Sequence, residues 1–200
     1  MSEDNDDGAS WRARPRRERA DIWSRLGEED PRFASFMADI GGEDEVGCII
    51  RASTYVEYYL EQIITRHLLH PTEVVWPGLT FQRRLELSLA LGDLKPSMKG
   101  PLRMLARARN RIAHNPGVEV ESEDVRRIVD AFDPSLREQF DGYARIAEKA
   151  PSEMTELIAA LMVIEQNLRW AVDAPNAMLL IRKTKEKLTT AGLQRFLEEE

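Results

Sequence analysis

The sequence predicts an all-α protein. Apolar residues recur at three- and four-residue steps over long segments, and no convincing run of alternating strand residues appears. Proline, glycine and asparagine punctuate this pattern with short connections, and no internal repeat recurs at a fixed period. A bundle of five to seven helices satisfies these constraints, because each amphipathic stripe needs another helix to cover it.

Residues 1–20 read as a disordered Arg-rich arm outside the bundle. Glu3, Asp4, Asp6 and Asp7 precede Arg12, Arg14, Arg16, Arg17 and Arg19, with almost nothing apolar to bury. The arm is either a solvated tail or a phosphate-seeking segment.

The bundle is expected over 21–175. From Gly47 onward, Cys48, Ala52, Tyr55, Val56, Tyr59, Ile63 and Leu68 mark a long helix ending before Pro71. A connector with Pro77-Gly78 leads to Thr80, a hydroxyl cap for a helix burying Phe81, Leu85 and Leu89 and leaving through Leu91-Gly92. Ser97 to Asn115 forms the next helix, with Leu102, Leu105, Ala106, Ile112 and Ala113 on its stripe and Asn115-Pro116-Gly117 as its stop. Val118 and Val120 alternate with acids over too short a run for a strand. Glu121 to Asp124 puts negative charge at the start of a helix carrying Val125, Ile128, Val129 and Phe132, as the helix dipole favours. Pro134 opens a helix with Leu136, Phe140 and Tyr143 inward. Pro151-Ser152 opens another with Met154, Leu157, Ile158, Leu161, Ile164 and Leu168 at helical spacing. The helices starting near Cys48, Thr80, Ser97 and Pro151 make the expected core, and 176–200 reads as a charged C-terminal helix.

Composition bounds the function. At 200 residues, 42% hydrophobic and 32% charged, the chain suits one domain. A net charge of −7 excludes general DNA coating, so any nucleic-acid contact has to use a local basic patch. Cys48 is the only cysteine, which rules out an intramolecular disulfide or a thiolate zinc cage and fits a reducing cytoplasm. Met1 to Asp7 has no apolar signal core, and the longest apolar stretch, Leu157 to Ile164, is far too short for a bilayer. The expectation is a cytoplasmic protein with no membrane partner.

The common catalytic signatures are missing: no glycine-rich phosphate loop, no Gly-x-Ser-x-Gly elbow, no His-Glu-x-x-His and no calcium loop. His67 and His70, with Glu73 nearby, are a poor metal site, and no metal or other cofactor is expected. Trp76, Tyr58 and Tyr59 read as packing residues. His114 differs, because it ends the Ser97 helix five residues after Arg109. Arg109 falls where the stripe from Leu105 to Ile112 would take another leucine, and a guanidinium on a packing face is costly unless paired or functional. On an ideal helix the two side chains project about 140° apart and are separated by about 7.5 Å of rise. The length of Arg, a distorted last turn or a two-fold partner can bring them together, and the partner is the favoured route.

The string Arg109-Asn110-Arg111-Ile112-Ala113-His114 resembles the signature of the HEPN superfamily: Arg, a polar residue directly after it, further positions, then His, on a helix of an all-α bundle. Leu79 to Gly92 resembles the helix preceding that signature in the mannitol-repressor-like branch. The resemblance spans about residues 40–132 and leaves out the Arg-rich arm and the C-terminal helices.

The resemblance implies a homodimer in which Arg109, Asn110 and His114 of both copies line one cleft used for metal-independent RNA cleavage. His114 would take the ribose 2′-hydroxyl proton, Arg109 would hold the scissile phosphate, and Asn110 would orient His114 or hold a phosphate oxygen. The products would be a 2′,3′-cyclic phosphate and a 5′-hydroxyl, with DNA refused as a substrate. Such a nuclease would belong to toxin, defence or stress biology. Pro116 stands where HEPN toxins with a nucleotidyltransferase antitoxin carry Tyr, so that regulatory scheme does not carry over. The alternative is a noncatalytic regulatory dimer that binds a protein, such as a regulatory or antitoxin partner, or RNA, without specific DNA reading. A purely structural role also stands, in which Arg109 pairs with an acid such as Glu57 and His114 caps its helix.

Overall fold

Local chemistry sets the helix boundaries. In the computed structural model, which describes residues 15–24, 30–115, 117–147 and 154–173, α1 (Arg16–Ser24) precedes α2 (Pro31–Gly41). The Asp30 carboxylate accepts from the backbone N–H groups of Arg32 and Phe33, and Pro31 supplies a preset first helical residue. The end of the expected arm is therefore helical. Arg16 pairs with Glu43, and Arg19 donates to the Gly42 and Glu43 carbonyls, which docks α1 on the turn after α2.

The Asp44 carboxylate accepts from Gly47 N–H at 2.7 Å and starts α3 (Glu45–Thr65), two residues before the expected position. Leu68 falls beyond its end. Thr80 caps α4 (Phe81–Ala90), and Gly92 leaves it at φ 81°, as the Leu91-Gly92 exit predicts. A 3₁₀ turn, Pro96–Met98, feeds α5 (Lys99–His114). Glu121 and Asp124 form a reciprocal cap at the start of α6 (Ser122–Asp130). Then come α7 (Pro134–Ala147) and α8 (Thr155–Asp173). The described residues thus hold eight α-helices and no strand, an all-α bundle with more helices than the five to seven expected. The Pro151-Ser152 opening, Pro116 and the C-terminal helix lie outside the described residues.

Two helices, α3 and α8, make the centre of the bundle. All positions of α8 from Leu157 to Glu165 are buried, the pattern of a helix at the centre of a bundle. In α3, Cys48, Ile49, Ala52, Val56, Tyr59, Leu60, Ile63 and Ile64 are buried in two adjoining stripes. These helices pack on each other; α2, α4 and α5 cover α3, while α7, α6 and α2 cover α8. A polar bridge crosses this centre: Tyr59 and Arg169 both donate to Oε1 of Glu165, and Arg169 also pairs with Asp30. No helix among the described residues is long and apolar enough to cross a membrane.

Candidate functional site

The signature residues lie on α5, whose register decides what each can reach. The buried side runs Pro101, Leu102, Leu105 and Ala108, with Ile112 packed behind them. This corrects the expectation for Arg109. The stripe passes from Leu105 through Ala108 to Ile112, in steps of three and four, so the small Ala108 occupies the packing position. Arg109 stands at the exposed edge of that stripe, and its Nη1 donates to Asn110 Oδ1 at 3.1 Å. No buried guanidinium exists at this position.

The opposite face of α5 carries Arg103, Arg107, Asn110 and His114 in steps of four, three and four, a single exposed line along the helix. His114 is exposed and belongs to the last regular turn of α5, so terminal distortion does not swing it toward Arg109. The cap role proposed for it falls to Asn115, whose backbone N–H bonds Ile112 O at 3.3 Å and whose amide bonds Arg111 O at 2.9 Å.

A pocket of about 470 Å³ opens between α3, α4 and α5. From α5 it takes Arg103, Arg107, Arg109 and Asn110; from α3, Ser53 and Glu57; from the start of α4, Thr80, Phe81 and Gln82. His114 does not line it. Within one protomer the fold therefore joins Arg109 to Asn110 and leaves His114 apart.

Glu57 is not Arg109's partner. Arg84, 7% exposed, takes Glu57 at 3.2 Å and Glu61 at 2.7 Å and donates to the Trp76 carbonyl at 2.7 Å. Sequence reasoning missed this buried arginine. A signal was present, since Arg84 sits directly before Leu85 on the packing face of its helix and Glu57 and Glu61 lie four apart on α3. Beside the pocket, hydrogen bonding from Gln82 and the charges of Arg83 and Arg103 hold the Glu86 carboxyl below its usual range.

The other candidates resolve plainly. His67 Nε2 lies 2.5 Å from Asp93 Oδ2, and Arg66 Nε donates to the same oxygen at 2.8 Å, so this histidine orders the exit of α3. Tyr59 is a core residue as expected. Tyr58 is 55% exposed, which corrects its reading as a packing residue: it points away from the core, one position before Tyr59. Trp76 is half-buried in the connector.

Comparisons of the chain with protein-family models, with curated proteins and with solved structures find no match.

Proposed function

We propose that this chain is a HEPN-like, cytoplasmic RNA-directed factor that acts as a homodimer and cleaves RNA without a metal, using Arg109, Asn110 and His114. One observation carries the reading. All three side chains are exposed on the last two turns of α5, and Arg109 has no carboxylate partner among the described residues. An exposed guanidinium and imidazole on different sides of one helix become a single site when a second α5 is set against the first.

The chemistry follows from the side chains. His114 accepts the 2′-hydroxyl proton as the 2′-oxygen forms its bond to phosphorus. Arg109 and the Asn110 amide stabilise charge on the phosphoryl oxygens. The P–O5′ bond breaks, and the departing 5′-oxygen takes a proton from the partner's imidazolium or from water, leaving a 2′,3′-cyclic phosphate and a 5′-hydroxyl. The test is incubation of single-stranded RNA with the protein in EDTA, followed by end-group analysis. The expected result is a cyclic phosphate end, no cleavage of DNA and loss of activity in His114→Ala; equal cleavage by that variant overturns the assignment.

The separation of His114 from the Arg109–Asn110 pocket favours a second reading, a noncatalytic regulatory dimer that holds RNA or a protein partner. RNA retained intact by the wild type and released by Arg109→Ala would select it.

A further inference from the structure

We infer that the pocket between α3, α4 and α5 binds a small organic phosphate, a phosphomonoester on a hydroxylated ring, with Arg103 and Arg107 gripping the phosphate and Glu57 reading the hydroxyls. The inference goes beyond RNA cleavage: Arg109 and Asn110 are common to both, whereas Arg103, Arg107, Glu57 and Phe81 have no part in that reaction.

Arginine pairing makes the first argument. Arg32, Arg51, Arg84, Arg111 and Arg169 all meet carboxylates. Arg103, Arg107 and Arg109 have no carboxylate partner among the described residues, and all three line this pocket. Arg103 reaches Gln82 Oε1 at 3.4 Å, Arg107 lies 3.8 Å from Met104 Sδ, and Arg109 meets Asn110. Glu86, the acid in Arg103's field, is already held by Gln82 and Arg83. Three guanidiniums on under two turns, none paired directly with a carboxylate among the described residues, repel one another, and a phosphate dianion offsets that repulsion with charge-assisted bonds.

The rest of the lining describes the other end of the ligand. Arg84 holds Glu57 from behind at 3.2 Å while sharing its charge with Glu61 at 2.7 Å, so Glu57 keeps acceptor oxygen for hydroxyls and part of its negative charge. Ser53 gives its proton to Ile49 O and keeps acceptor capacity. Thr80 Oγ1 accepts from Arg83 N–H and keeps its own proton to donate. The Asn110 carbonyl oxygen is used by Arg109, which leaves its amide N–H groups for the phosphate. Phe81, Leu105 and Ala106 supply apolar surface for a ring face. A volume of about 470 Å³ suits a small molecule.

The test is calorimetric titration of the full chain with ribose 5-phosphate, inorganic phosphate, ribose and a short single-stranded RNA. Ribose 5-phosphate is expected to bind where ribose does not, and to weaken at least about tenfold in Arg103→Gln/Arg107→Gln, whose sites are exposed and whose circular dichroism should match wild type. Glu57→Gln should weaken ribose 5-phosphate more than inorganic phosphate. His114→Ala should bind ribose 5-phosphate as wild type does, so failure here and failure of RNA cleavage read out separately. Ribose 5-phosphate binding no tighter than ribose, equal binding by the double arginine variant, or a dependence on Arg103 and Arg107 seen with RNA alone would each overturn the inference.

Discussion

Tyr59 on α3 donates its hydroxyl proton to Oε1 of Glu165 on α8 across 2.7 Å, with both side chains buried. This bond ties together the two helices that the rest of the bundle covers. Tyr59→Phe keeps the ring and removes the donor, leaving Arg169 as the donor to that oxygen at 3.0 Å. A loss of about 1–3 kcal/mol is expected, read as a lower urea midpoint with an unchanged slope.

The same carboxylate makes stability depend on pH. Burial pushes the Glu165 carboxyl above its ordinary value of 4.5, against the opposing pull of Tyr59 and Arg169; Asp30 adds to the rise, and Tyr143 feels the same charge. A group raised in the folded state contributes stability that is full below its unfolded value and lost as pH climbs through the folded one. Asp173 acts in the opposite sense. Its hydrogen bond from Arg32 holds it below 3.8, so its contribution is present above that value and lost as pH falls. Glu165→Gln should therefore gain on the wild type as pH rises from 4.5 toward neutrality. Urea unfolding at a series of pH values measures this, and a constant difference would refute it.

Arg84→Met should destabilise by about 2 kcal/mol, because Glu57 and Glu61 then face each other and the Trp76 carbonyl loses its donor. Both carboxylates keep partial access to water, which holds the loss below that of a fully buried pair. Adding Glu57→Gln and Glu61→Gln should recover part of it in a thermal melt.

Gly92→Ala should lower stability by about 1 kcal/mol. Gly92 leaves α4 at φ 81° with its N–H bonded to Leu89 O at 3.1 Å, a conformation that a Cβ disfavours whatever the open space around it. Chemical denaturation of the two proteins tests this directly.

Much of the bundle was legible because caps and spacing act locally. Thr80, Gly92 and Pro134 mark their boundaries, and Met154, Leu157, Ile158, Leu161, Ile164 and Leu168 are buried as their spacing predicts. α2 went unread although Asp30-Pro31 followed by Phe33, Phe36, Met37 and Ile40 is a capped amphipathic turn; only the neighbouring polar residues dilute its period. Arg109 misled for a different reason. An arginine at the edge of a stripe and one inside it share the same spacing, and only the packing of Ala108 separates them. Arg84 escaped notice because its acids come from α3, and pairing between helices leaves no mark in the local period.

The most direct test of the proposed role is the rate of EDTA-resistant RNA cleavage per protomer, followed as the protein is diluted through its dimer dissociation. A cleft completed by two copies requires that rate to fall in step with the dimer fraction and to vanish in Arg109→Ala and His114→Ala. A rate per protomer that ignores dilution, or that survives either substitution, would contradict it.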